Sequence, residues 1–194
     1  MALTADDTLD ARVDAAVRRI ADWPALGVPF TDVSPIWERH PQLFAELVDR
    51  MCAAYRDNLP TVLRPIEARA FLFAGAMSRV LGVRVVMARK GPKLPREFVA
   101  QEFGSGYETG LVMGAHRDAI GGDDRVLVVD DTLAMGWSVV GAARLVAKMG
   151  AHCHGIAVAF ELGHLSQQSR KNIAEWTDAD VFAASRTAST WTAG

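Results

Sequence analysis

The clearest chemical pattern lies in the stretch Val126-Leu-Val-Val-Asp-Asp-Thr-Leu-Ala-Met-Gly-Trp-Ser138. It is typical of a buried strand that ends in Asp130 and Asp131, followed by a short loop that leads into a helix. Such a loop directs successive backbone N–H groups and a helix N-terminus at one point, where an anion is favoured. Two carboxylates at the strand end can accept hydrogen bonds from a diol or hold a cation. On spacing alone, the pair could equally cap and solvate a strand end.

The elements around this stretch alternate between short apolar runs and helical patterns. The runs lie at 61–63, 83–87, 125–129 and 155–160, and the helical patterns at about 68–81 and 139–149. This alternation predicts an α/β fold with a mainly parallel central sheet that is flanked by helices on both faces. Open sheets of this type bind ligands at the carboxyl ends of their strands. The acid pair is therefore expected at the ligand-binding edge.

The rest of the chain predicts structure around that edge. Apolar spacing predicts a first helix over 7–20, and Pro41 opens a second helical pattern. Residues 22–35 contain three prolines and a glycine, which favours an ordered loop. The glycine-rich stretch 94–114 alternates weakly and predicts a two-stranded mobile flap. With no internal repeat or long linker, we expect one domain over 1–194, with 1–35 as a hood.

Composition excludes several classes of protein. The 194 residues include 21 Lys+Arg and 23 Asp+Glu, so no strongly basic surface for nucleic acid is expected. Half of the residues are hydrophobic and 23% are charged, which excludes a disordered chain. The longest apolar stretch, 70–77, is far shorter than the roughly 18 residues of a spanning helix, and the acidic N-terminus does not resemble a secretory signal. We expect a cytoplasmic protein without a membrane partner, whose two cysteines, Cys52 and Cys153, are buried free thiols.

The acid pair and its loop resemble the phosphoribosyl-pyrophosphate signature of type I phosphoribosyltransferases. Three further stretches are similar to motifs of adenine phosphoribosyltransferases, in the same order along the chain. They are Gly27-Val-Pro-Phe-Thr-Asp-Val-Ser-Pro35, similar to the base-binding loop, Ile66-Glu-Ala-Arg-Ala-Phe71, and Arg89-Lys-Gly-Pro-Lys-Leu-Pro95. Four motifs in family order are far more specific than the acid pair alone. The resemblance implies the type I phosphoribosyltransferase fold.

The resemblance also implies a reaction. Magnesium phosphoribosyl pyrophosphate and a purine, adenine above all, would give the nucleoside monophosphate and pyrophosphate in purine salvage. The chain would act as a cytoplasmic homodimer, with Mg²⁺ bound together with the substrate.

The family motifs imply a role for each matching residue. Asp130 and Asp131 would bind the ribose hydroxyls, contact Mg²⁺ indirectly and face the positive charge that develops on the sugar. Tyr107 would gate the flap, and Glu102 would assist proton movement on the purine, with Glu108 as the alternative. The other groups are the pyrophosphate ligands Arg69, Arg89, Lys90 and Lys93, the 5′-phosphate loop of Ala134, Met135, Gly136, Trp137 and Ser138, and the base contacts Pro29, Phe30 and Thr31.

Four positions depart from the family pattern. Ala70 replaces a glycine, and Gly106 stands where many relatives have a glutamate. In the phosphate loop, Met135 replaces a threonine and Trp137 replaces a glycine. The changes at Gly106, Met135 and Trp137 motivate a second hypothesis, a catalytically weak or inactive relative that binds a nucleotide or sugar phosphate as a sensor or partner protein.

Several residues also have ordinary structural interpretations. The basic residues could form a solvated face, and Phe30 could be a core residue. For the pair His152 and His154, strand-edge residues are favoured over a zinc site, because no cysteine or carboxylate lies at ligand spacing.

Overall fold

A computed structural model describes residues 8–23, 25–28, 30–91, 94–104 and 110–187. The helices are α1 (Leu9–Ala16), α2 (Pro35–Arg39), α3 (Pro41–Ala53), α4 (Ala70–Leu81), α5 (Trp137–Lys148) and α6 (Ser166–Ala174). The strands are β1 (Arg18–Ile20), β2 (Phe30–Asp32), β3 (Val62–Pro65), β4 (Arg84–Val85), β5 (Arg89–Lys90), β6 (Phe98–Phe103), β7 (Leu111–His116), β8 (Arg125–Leu133), β9 (His152–Glu161) and β10 (Val181–Arg186).

Five parallel strands form the central sheet in the order β10-β9-β8-β3-β4. β8 lies in the middle, and its apolar run from Val126 to Val129 is fully buried. Continuous apolar runs are typical of parallel strands that are covered on both faces. The predicted parallel sheet is confirmed, and its centre is the strand that carries the acid pair.

Helices cover both faces of the sheet, as the sequence predicts. On one face, α3 and α4 pack side chains such as Leu47, Met51 and Phe73 against the sheet. On the other face, α5 contributes Leu145 and Val146 to a second apolar cluster. Within the described residues, no helix has the length and apolar character needed to cross a membrane.

Two strands are longer than the sequence predicts. β8 continues through both acids to Leu133, because β9 pairs with it as far as Leu133↔Glu161. β3 runs on to Pro65, past the predicted end at residue 63, where the charge of Arg64 interrupts the apolar run. Arg64 is fully buried, and burial lowers the pKa of its guanidinium to about 10. Among the described residues, its Nε and Nη2 atoms have no hydrogen-bond partner. Strand pairing thus extends β3 through a charged residue that ends the apolar run in the sequence.

The N-terminal prediction needs correction. The first helix spans only Leu9–Ala16, and the end of the predicted helix instead forms β1, which pairs antiparallel with β2 inside the predicted loop. Val17 is already extended, with ψ of 155°. The pairing satisfies backbone groups that local apolar spacing cannot anticipate, since β2 lies about ten residues away along the chain.

The predicted flap strands are present as β6 and β7, which pair antiparallel from Phe98↔His116 to Phe103↔Leu111. β5 adds two residues to the other side of β7, so the sheet has three strands rather than two. Residues 105–109 lie outside the described part, and the mobility of the flap stays a prediction. The flap strands belong to the core even near the connection between them, because Phe103 and Met113 are buried against α5.

Gly141 of α5 provides the room for this contact. A Cβ placed on Gly141 would lie 2.7 Å from Phe103 Cβ and 3.2 Å from Met113 Cε. Atoms at 2.7 Å overlap, and Phe103 Cβ cannot move without its strand. Gly141 therefore allows the flap strands to pack closely on α5, although glycine in the middle of a helix does not favour the helix itself.

We expect Gly141→Ala to destabilise the protein by about 1–2 kcal/mol, although alanine is the better helix former by about 1 kcal/mol. The control is Gly75→Ala on the exposed face of α4, where an added Cβ meets nothing within 4 Å. That control should hold or raise stability by up to about 1 kcal/mol. Urea unfolding of both variants measures the difference, and equal stabilisation by both would contradict the close contact.

Candidate active site

Two adjacent carboxylates lie at the carboxyl end of the sheet. Asp130 and Asp131 are 8% and 5% exposed, within the last residues of β8. Asp130 Oδ1 accepts the Asp131 backbone N–H at 2.9 Å, and Asp131 Oδ2 accepts the Thr132 hydroxyl at 3.0 Å. The two acids therefore have defined orientations and are more than solvated strand-end residues.

Burial raises the pKa of Asp130 well above its ordinary value, and the neighbouring negative charge of Asp131 raises it further. The positive charge of Lys90 acts in the opposite direction. A carboxylate in this position is stabilised by any cationic group that approaches it. The acid pair is thus suited to a ligand that carries or develops positive charge.

A basic group faces the acids from the segment that connects β3 to α4. Arg69 stands immediately before α4, and its Nη2 lies 2.8 Å from Asp131 Oδ2. Glu67 accepts the Lys90 backbone N–H at 2.6 Å and lies 3.3 Å from Arg89 Nε, both through Oε2. Glu67 thereby holds β5 beside the β3–α4 connection. Three basic residues from two segments, Arg69 before α4 and the pair Arg89 and Lys90 of β5, meet at the edge that carries the acids.

The loop between β8 and α5 encloses a small cavity. Its volume is about 80 Å³, and it is lined by Asp130, residues 132–138 and Val139. Gly136 has a φ of +85° and directly precedes α5, whose first residue is Trp137. The first N–H groups of a helix have no partner within the helix and favour an anion. The cavity therefore has the shape and polarity of an anion site next to the acid pair.

Helix α6 packs directly behind this loop. A Cβ on Gly136 would lie 3.1 Å from both Ile173 Cγ1 and the Ser169 carbonyl oxygen, so this position combines a left-handed backbone with close packing. Asn172 Nδ2 donates to the Met135 carbonyl oxygen at 2.9 Å. The loop is thus supported by α6, which does not line the cavity.

Two aromatic side chains lie next to each other in the predicted hood, one between β1 and β2 and one in β2. The rings of Trp23 and Phe30 lie 4.4 Å apart at an interplanar angle of 53°. Phe30 is half-buried, so it is not an ordinary core residue. In the same strand, hydrogen bonds from Ser34 and the charges of Arg18 and Arg69 outweigh burial and lower the pKa of Asp32. Arg69, which contacts Asp131, thus lies close enough to Asp32 to affect the charge of its carboxyl group.

Comparison with known proteins agrees with this geometry. The phosphoribosyl transferase domain family model matches residues 38–187. The chain belongs to the phosphoribosyltransferase family. It is 35% identical to an adenine phosphoribosyltransferase of Natranaerobius thermophilus, over 79% of this chain and 89% of the relative. It is 38% identical to one of Phocaeicola vulgatus, over 78% and 86%.

Solved adenine phosphoribosyltransferases share the fold. The Thermoanaerobacter pseudethanolicus structure has a TM-score of 0.82 at 30% identity, covering 92% of this chain and 99% of that one. The Giardia lamblia enzyme complexed with 9-deazaadenine has a TM-score of 0.85 at 27% identity, covering 93% and 98%. The resemblance read from the sequence motifs is confirmed.

The structure brings many of the predicted phosphoribosyltransferase residues together. Asp130, Asp131, Arg69 and the basic pair of β5 meet at one edge, and the loop 134–138 encloses the adjoining cavity. Glu102 is exposed on β6, and the described residues offer its carboxylate no hydrogen bond or ion pair, so its catalytic role stays a prediction. Pro29, Lys93, Gly106, Tyr107 and Glu108 lie outside the described residues.

Sequence reasoning missed three residues that shape the site. Glu67 lies within a recognised motif, but nothing in its type alone indicates that it holds β5. Asn172 and Glu161 lie in a segment for which the sequence predicted no role. Each is a polar residue that is buried in the folded chain, and the local sequence pattern does not reveal that burial.

Glu161 forms an ion cluster at the end of β9 in this phosphoribosyltransferase. Its side chain is fully buried. Oε1 accepts from Ser166 Oγ and Arg170 Nε, both at 2.8 Å, and Oε2 accepts from Arg186 Nη2 at 2.7 Å. Burial acts to raise the pKa of Glu161, but the Arg170, Arg186 and Ser166 hydrogen bonds outweigh it and lower the value to about 2. The cluster fastens α6 to the sheet.

This cluster predicts a pH-dependent stability. The pKa of Glu161 falls from 4.5 to about 2 on folding, so the unfolded chain binds the proton more readily. The carboxylate therefore stabilises the fold fully above about pH 4.5, by about 3 kcal/mol, and this stabilisation is lost as pH falls towards 2. Urea unfolding of Glu161→Gln should give a deficit of that size at pH 7 that shrinks steadily below pH 4.5.

The matched control is Glu97→Gln, which removes an ion pair with Arg117 in which both side chains are more than 60% exposed. Its deficit should stay below about 1 kcal/mol at every pH. A Glu161→Gln deficit that remains constant from pH 7 to pH 3 would refute the assignment.

Proposed function

We propose that the protein transfers the 5-phosphoribosyl group from phosphoribosyl pyrophosphate to adenine, giving AMP and pyrophosphate. The observation that carries the proposal is the meeting, at one sheet edge, of a buried acid pair, a guanidinium and an anion cavity. These are the groups needed for a sugar with a diol and phosphates at both ends. The adenine phosphoribosyltransferase relatives, at 35–38% identity, support the choice of base.

The acid pair and the loop would bind different parts of the sugar phosphate. The backbone N–H groups at 134–138 and the Ser138 hydroxyl would hold the 5′-phosphate in the cavity of about 80 Å³. Asp130 and Asp131 would accept hydrogen bonds from the two ribose hydroxyls. As the bond from C1 to pyrophosphate breaks, the sugar becomes positively charged, and the two carboxylates stabilise that charge.

Arg69, Arg89 and Lys90 would hold the departing pyrophosphate, with Lys93 as a further ligand. Arg69 would exchange its contact with Asp131 for the incoming phosphates, which carry more negative charge than a single carboxylate. The exchange also frees Asp131 for ribose. The cationic groups that would bind pyrophosphate are therefore already close together before the substrate binds.

Magnesium fits this site as part of the substrate. Within the described residues, no group of three or more His, Cys, Asp or Glu side chains could hold a metal by itself. Mg²⁺ is commonly held by one or two carboxylates together with substrate phosphates, and Asp130 and Asp131 provide those oxygens, directly or through water. When bound, the ion would neutralise phosphate charge.

The hood and the flap would complete the pocket for the base. Phe30 would stack on the purine with the ring face that Trp23 does not cover, and backbone groups of Pro29 and Thr31 would contact the purine edge. Tyr107 and the rest of the flap would exclude water, which would otherwise attack the same carbon. Glu102 stays the candidate acid for proton movement on the purine.

The deciding experiment incubates the protein with phosphoribosyl pyrophosphate, Mg²⁺ and a panel of free purines and pyrimidines, followed by mass spectrometry. We expect AMP from adenine, and loss of at least about a thousandfold in kcat in Asp130→Asn/Asp131→Asn, since two groups that stabilise transition-state charge are neutralised. The matched control is Asp124→Asn, an acid paired with Arg84 at the opposite end of β8, which should retain turnover.

The outcomes separate the enzyme from the sensor hypothesis. Product from a different base would change the substrate but keep the reaction. Tight binding of phosphoribosyl pyrophosphate with no product from any base would favour the sensor. Undiminished turnover in the Asp130→Asn/Asp131→Asn variant would refute the role of the acid pair.

We also propose that the protein is a homodimer in the cytoplasm, where free Cys52 and Cys153 stay reduced.

Support for the dimer comes from the edge strand β4. Val85 in β4 is 37% exposed, and Met87, two residues after Val85, is 45% exposed. Val85→Glu/Met87→Glu should lower the sedimentation coefficient to that of a monomer. Leu59→Glu, at another exposed apolar site, should not, and a monomeric wild type would refute the proposal.

A further inference from the structure

One buried amide behind the phosphate loop has no part in the reaction proposed above. Asn172 is 4% exposed, and its Nδ2 donates to the Met135 carbonyl oxygen at 2.9 Å. Its Oδ1 accepts from Gln168 Nε2 at 2.7 Å. Because both ends of the amide are bound, its donor is held in one direction, towards the loop.

The contact determines how the following peptide group is turned. In a trans peptide, the carbonyl of one residue and the N–H of the next point in opposite directions. Since Asn172 draws the Met135 carbonyl towards α6, the Gly136 N–H is directed away from α6. The cavity is lined by Gly136 and the rest of the loop, and by no residue of α6. A buried side chain on α6 therefore directs a donor for an anion that it does not touch.

The loop also cannot move back towards α6. Gly136 is already packed so closely on Ile173 and the Ser169 carbonyl that an added Cβ would lie 3.1 Å from each. In turn, α6 is fastened to the sheet by the Glu161 cluster through Ser166 and Arg170. The support behind the loop is a continuous set of packed and hydrogen-bonded groups.

We propose that Asn172 is a positioning residue that orients the backbone of the 5′-phosphate loop from behind. The inference rests on the proposed function, because it takes the cavity as the 5′-phosphate site. Met135 has no hydroxyl to offer the phosphate, so apart from the Ser138 hydroxyl the loop depends on its backbone N–H groups. Their orientation is then the main determinant of affinity for the phosphate, and Asn172 sets one of them.

The test measures the affinity for ribose 5-phosphate, a ligand with no pyrophosphate, by calorimetry. Asn172→Ala should raise its Kd about tenfold, since an oriented donor to a charged group is lost. Asn172→Asp, which is isosteric but presents an oxygen to the Met135 carbonyl, should raise it further. The matched control is Lys171→Ala, the exposed neighbour on α6, which should bind as the wild type does.

Steady-state kinetics supply the second readout. The KM for phosphoribosyl pyrophosphate should rise about tenfold in Asn172→Ala, while the KM for adenine changes less than about twofold. A general loss of structure would raise both constants together, and that result would overturn the proposal. Wild-type affinity for ribose 5-phosphate in both Asn172 variants would overturn it as well.

If both Asn172 variants fail to fold, Gln168→Ala provides the test. It removes the hydrogen bond that holds the Asn172 amide, and it creates no cavity because Gln168 is exposed. We then expect about a threefold loss of ribose 5-phosphate affinity, against no loss in Gln167→Ala, and equal affinities would refute the proposal. A wild type that binds ribose 5-phosphate but converts no base refutes only the proposed reaction. A wild type that does not bind ribose 5-phosphate refutes the positioning role.

Discussion

The burial of two neighbouring carboxylates at the end of the central strand is the constraint on which the rest of the site depends. Asp130 and Asp131 are almost inaccessible to water, and like charges so close together are unfavourable unless cations approach them. Arg69 from the start of α4 and Lys90 from β5 supply positive charge. Each comes from a different segment, so the site exists only when the sheet, α4 and β5 are assembled together.

A second constraint acts on the loop that follows the acids. The backbone must turn through the left-handed conformation at Gly136 and lie against α6 with no room for a side chain. The buried Glu161 at the carboxyl end of β9 anchors α6, and α6 supports the loop. The Glu161 ion pairs therefore affect the geometry of the loop. The acid pair at the end of β8 and the Glu161 cluster at the end of β9 thus share the carboxyl edge of the sheet.

The flap strands are packed against the rest of the protein close to the connection between them. Phe103 and Met113, in the halves of β6 and β7 nearest to residues 105–109, are buried against α5, and Gly141 allows that approach. The same helix offers its N-terminus to the phosphate loop and its side to the flap, so α5 connects the two.

Much of this protein is determined by its sequence alone. Apolar runs alternating with helical patterns specify a parallel sheet, and four ordered motifs specify the family, because both signals are local and need no knowledge of distant contacts. Only the tertiary structure decides that β8 continues through its acids, that β1 pairs with β2, and that Glu67, Glu161 and Asn172 support the site. Each of these depends on a partner that is distant along the chain or on burial, and hydrogen bonding between distant segments leaves no periodic trace in the sequence.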